Sequence, residues 1–259
     1  MNKEELVVDL IKYFISENDR YSKIVIPIDY KDRRLLLRGL INMRKPLDIS
    51  NDILDKEDKL LQLELKDRNI VNVLDIDSID NKISVWQGDI TCIRCDAIVN
   101  AGNEDVLGCF IPNHNCIDSQ IHSMSGIRMR LECNNIMNGG KLDTSKVIVT
   151  GGYNLPCTYV IHTVGPMVYG RLTDKEIKEL EDTYRNCLDK ARELGIRSIV
   201  FPCISTGVFK FPKDRACEIA VGTVRNYLNK YGEYFDRIVF NVFKDEDLRL
   251  YINKLGSDE

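Results

Sequence analysis

From about residue 82, short apolar segments alternate with longer amphipathic segments almost to the end of the chain. Short apolar runs indicate strands, and apolar residues with a 3.6-residue period indicate helices. Repeated alternation of the two predicts a sheet covered by helices on both faces. The predicted strands are 83–86, 97–100, 147–150, 159–164, 198–204 and 237–243, and the predicted helices are 116–138, 173–195, 213–230 and 245–255. The fold class is therefore α/β.

Residues 1–80 show a different pattern, which is charged and helical throughout. Leu6, Leu10 and Phe14 lie on one face of a first helix, and two further helical stretches follow before residue 66. Three short helices make only a marginal core of their own. We therefore predict a helical N-terminal extension over 1–80, docked on a main domain over 81–259.

Composition limits the classes of partner. The chain of 259 residues carries 36 basic and 40 acidic side chains, a net charge of −4, with no basic stripe that would indicate a nucleic-acid surface. No apolar run approaches the ~20 residues that span a bilayer. The first residues are acidic where a signal peptide would be basic. The nine cysteines do not form a disulfide pattern. These features predict a cytoplasmic protein with free thiols and no membrane or nucleic-acid partner.

Three polar or glycine-rich segments follow predicted strands, at 88–91, 100–103 and 205–209. In sheets of this kind, ligands bind beyond the carboxyl ends of the strands. We therefore expect these three loops to form the functional site.

Cys109, His114 and Cys116 lie within eight residues, shortly after the second of these loops. Thiolate and imidazole are ligands that zinc prefers. A structural zinc usually has four protein ligands, whereas three leave a position for water or substrate, as in a catalytic site. The spacing matches neither a zinc finger nor a metalloprotease helix. The sequence predicts one bound zinc ion.

The loop residues each have a functional and a structural interpretation. The amides of 205–209 could line a phosphate, although many strand-to-helix turns look similar. Asp89 could accept a hydrogen bond from an exocyclic amine, or it could cap a turn. Asn100 and Asn103 could hold hydroxyl groups, or they could satisfy left-handed turn geometry.

The order of the motifs is more informative than any one of them. The chain contains Gly-Asp-Ile-Thr at 88–91, Asp-Ala-Ile-Val-Asn-Ala-Gly-Asn at 96–103, the segments 151–156 and 159–166, and Phe-Pro-Cys-Ile-Ser-Thr-Gly-Val-Phe at 201–209. Over about 82–255 this series resembles the macrodomain family, whose members bind ADP-ribose. The segment 108–118 and the helical extension are similar to the microbial zinc-containing subgroup. Gly102 departs from the usual turn, which has alanine, and loosens the backbone there.

The resemblance implies a three-layer α/β/α fold with a mixed central sheet, preceded by the extension. It implies a zinc-dependent hydrolase that removes mono-ADP-ribose from modified proteins, to which the group is attached by an ester-type linkage. A lipoyl-carrier protein, modified by a sirtuin-type ADP-ribosyltransferase, is the partner that the subgroup suggests. Two alternatives remain open: a non-catalytic ADP-ribose reader with a structural zinc, and a single-stranded RNA module, which the charge balance does not favour.

The resemblance also assigns roles to residues. The residues expected to contact ADP-ribose are Asp89 and Ile90 at the adenine, Asn100 and Asn103 at the distal ribose, Ile117 and Asp118 beside that ribose, and Ser205, Thr206, Gly207, Val208 and Phe209 at the pyrophosphate. The expected zinc ligands are Cys109, His114 and Cys116. The expected catalytic set comprises these three ligands together with Asn103 and Asp118.

Overall fold

A seven-stranded mixed sheet forms the centre of the protein, whose computed structural model describes residues 1–256. The strands are β1 (Val71–Asn72), β2 (Ile83–Gln87), β3 (Ile93–Ala101), β4 (Val147–Gly151), β5 (Cys157–Thr163), β6 (Ser198–Phe201) and β7 (Arg237–Val242). Their order is β2-β7-β6-β3-β5-β4, and β1 pairs with the start of β3. Only β4 runs antiparallel to its neighbour, β5. The predicted mixed sheet is confirmed.

Helices cover both faces of the sheet, which gives the predicted three layers. The helices of the main domain are α4 (Ile117–Ser125), α5 (Ile127–Met137), α6 (Asp174–Glu193), α7 (Lys213–Tyr231) and α8 (Asp245–Gly256). The last three pack on one face and the first two on the other. Because both faces are covered, the central strand β3 is apolar on both sides, and Ala97, Ile98 and Val99 are almost completely buried.

Two predicted elements are wrong in detail. The expected helix 116–138 is two helices, because Gly126 has a φ of 98° and separates α4 from α5. Glycine adopts this backbone without steric cost, and apolar periodicity does not show the break. The expected strand 198–204 ends at Phe201, since Pro202 has no amide to continue the ladder.

The N-terminal extension consists of α1 (Lys3–Ser16), α2 (Tyr30–Met43) and α3 (Asn51–Leu65), as predicted. The three helices enclose a core of their own, which continues into the main domain through Ile127 of α5. No helix in residues 1–256 is both long and apolar enough to cross a bilayer. The boundary between the extension and the main domain at residue 81 stays a prediction. The last three residues of the predicted main domain, 257–259, lie outside the described part of the chain.

A buried carboxyl group joins the extension to the main domain. Glu57 of α3 is 2% exposed, and its Oε2 accepts a hydrogen bond of 2.8 Å from the backbone N–H of Ile127, at the start of α5. Burial raises the pKa of Glu57 from its ordinary value of 4.5 to about 7. Arg128 adds exposed ion pairs with Asp55 and Asp58 of α3.

We expect Glu57→Gln to change how stability depends on pH. Because the folded-state pKa of Glu57 is raised, its protonated form contributes stability that is complete below pH 4.5 and is lost as pH rises through about 7. Glutamine keeps the acceptor for Ile127 but does not ionise. Relative to the variant, the wild-type free energy of unfolding should fall by up to roughly 3 kcal/mol between pH 5 and pH 8. Urea unfolding at the two pH values measures this, and an equal difference at both would contradict it.

Candidate active site at the carboxyl ends of the strands

Two of the three predicted loops, 100–103 and 205–209, are neighbours at the carboxyl ends of the strands, whereas the loop 88–91 follows the edge strand β2. Strand β3 lies between β6 and β5, so the loops that follow these strands are neighbours. The backbone N–H of Val168, after β5, donates to the carbonyl of Phe209, after β6, at 2.9 Å. The loop 205–209 therefore reaches across the end of β3, where the turn 100–103 lies.

A buried carboxylate lies at the end of β3. Asp118, in the first turn of α4, is 4% exposed. Its Oδ1 accepts a hydrogen bond of 2.8 Å from Asn100, and its Oδ2 accepts a longer one of 3.5 Å from Asn103. Burial raises the pKa of Asp118, and the hydrogen bond from Asn100 opposes that rise. The amide oxygen of Asn100 is buried and has no hydrogen-bond partner among residues 1–256.

Two buried histidines lie behind this carboxylate. The amide of Asn100 donates to Nδ1 of His162, so Nε2 carries the proton and donates to Thr150 Oγ1 at 2.8 Å. His162 is thus a satisfied core residue. Both nitrogens of His122 lack a hydrogen-bond partner in the described chain, and its Nε2 lies 3.6 Å from Asp118 Oδ1. Burial lowers the pKa of each histidine to about 3, so both rings are neutral at physiological pH.

Cys109, His114 and Cys116 converge in the loop between β3 and α4. Cys109 Sγ lies 3.1 Å from His114 Nδ1, and the three ligand atoms all lie within 4.8 Å of one another. Sulfur and nitrogen ligands of one tetrahedral zinc lie roughly 3.5 Å apart, so this donor set fits a zinc ion. All three side chains are half-buried. Burial raises the pKa of Cys116 to about 11, so binding a metal there must displace the thiol proton.

A second set of metal-type ligands lies deeper in the fold. His122, Cys133 and His162 also have ligand atoms within 4.8 Å of one another, but all three are buried. Nε2 of His162 is already hydrogen-bonded to Thr150. This set belongs to the packed interior, and the loop residues are the better metal group.

The loop 205–209 has the form of an anion-binding turn. Ser205 has a φ of 64°, in the left-handed region, and Thr206 Oγ1 donates to the carbonyl of Cys203 at 3.1 Å. Within the described residues, the amides of Gly207, Val208 and Phe209 donate no hydrogen bond. Successive free amides of this kind form a concave site for an anion. Helix α7 begins only at Lys213, so the amides, rather than the helix terminus, line this site.

Asp89 follows the edge strand β2, and both of its oxygens have partners. Oδ1 accepts from the backbone and the hydroxyl of Thr91 at 2.9 and 2.7 Å, which makes Asp89 the cap of the short helix Ile90–Cys92. Oδ2 accepts from Arg68 Nη2 at 2.5 Å and from Gln120 Nε2 at 3.4 Å. The capping interpretation is thus confirmed, while a role in binding adenine stays a prediction. The side chain of Ile90 is buried, so only its backbone can face a ligand.

Sequence reasoning missed Arg68 and Gln120. Arg68 lies in a charged stretch of the extension without a motif, and Gln120 lies one turn into α4. No local signal marks either residue, because each reaches Asp89 only through the tertiary fold. Ile117, which was predicted to contact the ligand, begins α4 and is half-buried against the core.

Glycine is needed at position 102 for a steric reason that the sequence did not show. A Cβ atom at this position would lie 2.9 Å from Asp118 Oδ1 and 3.2 Å from its Cγ. Such contacts are too short, so a side chain at 102 would push the carboxylate away. The absence of a side chain makes room for Asp118, in addition to loosening the turn.

Fold and site together describe an α/β domain with a polar cleft at its strand ends, and comparison with known proteins gives the family. The Macro domain family matches residues 99–220. A protein-ADP-ribose hydrolase of Treponema medium is 42% identical over 263 residues, covering 99% of this chain and 100% of that relative. A protein-ADP-ribose hydrolase of Staphylococcus aureus strain MRSA252 is 41% identical, covering 96% and 94%. The chain therefore belongs to the macrodomain family.

Solved structures agree with this assignment. The Trypanosoma brucei macrodomain in complex with ADP-ribose is 28% identical, with a TM-score of 0.67, and covers 81% of this chain and 92% of that one. An Oceanobacillus iheyensis macrodomain with ADP is 34% identical, with a TM-score of 0.62, and covers 70% and 94%. The macrodomain fold expected from the motifs is confirmed.

We expect Gly165→Ala to disturb the anion-binding loop. A Cβ atom at this position would lie 2.2 Å from Ser205 Oγ and 2.6 Å from Ile204 Cγ2. Relief requires the buried side chains of Ser205 and Ile204 to move within a packed interior, so the free energy of unfolding should fall by about 1–3 kcal/mol. Gly222→Ala is the matched control, since nothing lies within 4 Å of a Cβ there and alanine favours the interior of α7. Urea unfolding should show the control unchanged or stabilised, and equal losses would contradict the steric argument.

Proposed function

We propose that this macrodomain is a protein-ADP-ribose hydrolase, which binds an ADP-ribosyl group in the cleft and cleaves its bond to the acceptor protein. The observation that carries the proposal is the position of Asp118. Its carboxylate is buried and accepts hydrogen bonds from two asparagines. Asp118 lies two residues after Cys116, the last member of the metal-type group. The relatives in Treponema medium and Staphylococcus aureus, which have this activity by name, match along nearly the whole chain.

We assign the ligand an orientation along the cleft. The free amides of 207–209 suit the pyrophosphate, because they are donors with no other partner in the described chain. Asp89 suits the adenine amine, and Asn100, Asn103 and Asp118 suit the distal ribose at the opposite end. In this orientation the anomeric carbon lies next to the loop that contains Cys109 and Cys116.

The chain's own residues account for binding and positioning. Asn103 orients the distal ribose. The amides that bind the pyrophosphate convert the binding energy of this remote group into alignment of the bond that breaks. Asp118 is an acceptor, whose desolvation favours holding a proton from a ribose hydroxyl or from a water molecule. Neutral His122 behind it leaves that role to the carboxylate.

We further propose one zinc ion held by Cys109, His114 and Cys116. Two thiolates and an imidazole are a zinc donor set, and their mutual distances fit one tetrahedral ion. When bound, zinc would supply Lewis acidity at the acceptor oxygen or lower the pKa of a water molecule to about 7.

The finer assignments follow from the resemblance to the zinc-containing subgroup. We propose mono-ADP-ribose attached through an ester-type linkage as the substrate. A lipoyl-carrier protein, with a sirtuin-type ADP-ribosyltransferase that modifies it, is the proposed partner system. A cytoplasmic location also stays a prediction.

We expect Asp118→Asn to abolish most hydrolysis while it preserves the fold. Asparagine keeps the shape but loses the negative acceptor, so release should fall by about 10²–10⁴-fold. The measurement is release of ADP-ribose from a protein mono-ADP-ribosylated on acidic side chains. Asp174→Asn, an exposed carboxylate in the first turn of α6, is the control and should keep full activity. Activity of Asp118→Asn within threefold of wild type would contradict the role of Asp118.

We expect purified protein to bind one zinc per chain and to lose both zinc and activity as Cys116→Ala. Cys92→Ala, a half-buried thiol outside the metal group, should keep the metal. Elemental analysis and the same release assay measure the two quantities. Loss of zinc with full activity would contradict zinc catalysis. A wild-type protein that binds ADP-ribose but releases none would instead be a reader of the modification.

A further inference from the structure

We propose that helix α2 of the N-terminal extension holds the metal-binding loop in its ligating conformation, with Arg38 and Asn42 as positioning residues. This inference rests on the zinc site proposed above. It gives the extension a function at the active site, since α2 contacts the inner, buried side of the loop.

Asn42 makes the most specific of these contacts. Its side chain is 1% exposed, and both ends of its amide are used. Oδ1 accepts from the backbone N–H of Asn113 at 3.1 Å, and Nδ2 donates to Ser123 Oγ of α4 at 3.1 Å. Asn113 has a φ of 54°, in the left-handed region, and directly precedes the ligand His114. Asn42 thus holds the backbone turn that aims the imidazole.

Arg38, one helical turn earlier, contacts the ligand residue itself. Its Nη2 donates to the carbonyl of His114 at 3.2 Å, and its Nε donates to Ser123 Oγ at 3.2 Å. The guanidinium is half-buried and interacts electrostatically with Cys116. A fixed positive charge beside the thiolates offsets the accumulation of negative charge in the metal group.

The backbone of α2 packs directly on the loop. A Cβ atom at Gly39 would lie 3.4 Å from Asn113 Nδ2 and 3.5 Å from Pro112 Cβ, so the helix surface and the loop are already in contact. On the outer side, Phe110 and Ile111 are 39% and 54% exposed. The guanidinium of Arg130, in α5, lies over the Phe110 ring at 5.2 Å from its centroid. The loop is therefore supported by α2 and by the start of α4, with a further contact from α5.

These contacts are separable from the ones that attach the extension. The extension is also anchored through Glu57, through the ion pairs of Arg128 with α3, and through Arg130 of α5, whose Nη1 donates to the backbone carbonyls of Ile41 and Arg44 at the end of α2. These carbonyls belong to the backbone, so they remain when a side chain of α2 is removed. Within the extension, Arg34 of α2 pairs with Glu64 of α3. Loss of the contacts that Arg38 and Asn42 make with the loop should therefore leave the extension docked.

The test is the zinc affinity of the full-length protein, measured by competition with a chromophoric chelator. Groups that orient metal ligands contribute about 10–100-fold in affinity, so Asn42→Ala and Arg38→Ala should each weaken zinc binding by that factor. Asn42→Asp keeps the acceptor for Asn113 and should lie between Asn42→Ala and wild type. Arg38→Lys keeps the charge but cannot reach both acceptors, and should weaken binding several-fold.

Arg34→Ala is the matched control. It removes a guanidinium one turn earlier on the same helix and disturbs the extension without contacting the loop, so its zinc affinity should stay within twofold of wild type. Thermal unfolding of the metal-free variants reports changes in the fold separately. The inference is overturned if the Asn42 and Arg38 variants bind zinc like wild type, or lose no more affinity than Arg34→Ala. A wild-type chain that binds no zinc would instead overturn the proposed metal site itself.

Discussion

The buried carboxylate of Asp118 is the constraint on which the site depends. A carboxyl group that is 4% exposed requires hydrogen-bond partners, and Asn100 and Asn103 at the end of β3 supply them. Gly102 between them has no Cβ, which leaves space for the carboxylate. The end of β3 and the start of α4 are thereby held together, and the metal-type group lies in the loop that joins them. The chemistry of the cleft is consequently built around one short connection.

The sheet order brings the other parts of the cleft to this connection. With β6 and β5 on either side of β3, the free amides of the loop 205–209 lie across its end, while Asp89 follows β2 at the sheet edge. Arg68, from the segment after α3, and Gln120 of α4 both bond to Asp89. Helix α2 bonds to the loop before α4 through Arg38 and Asn42. The N-terminal extension thus contacts the cleft at two places, which explains its dense polar contacts with the main domain.

Much of the fold was predictable, because its elements carry local signals. Thr173 and Glu176 form a capping box at the start of α6, which is a local signal for a helix N-terminus, and apolar runs marked the strands that are buried on both faces. The break at Gly126 was not predictable, since the apolar period continues from α4 into α5. In the site, the grouping of Cys109, His114 and Cys116 was visible because all three lie in one loop. Arg68, Gln120 and Arg38 were not visible, because each contacts its partner at a distance of 21 to 76 residues along the chain.

The sequence by itself determined the class of fold, the position of the loops and the grouping of Cys109, His114 and Cys116. These follow from patterns within a few residues, where hydrophobic period, turn chemistry and ligand spacing act locally. The tertiary structure decided which polar groups are buried and which of them have partners. It made Asp118 a desolvated carboxyl group and His122 and His162 neutral rings, and it placed α2 in hydrogen-bond contact with the loop before α4. Desolvation and long-range hydrogen bonds depend on what the fold packs around a group, and no local pattern specifies that.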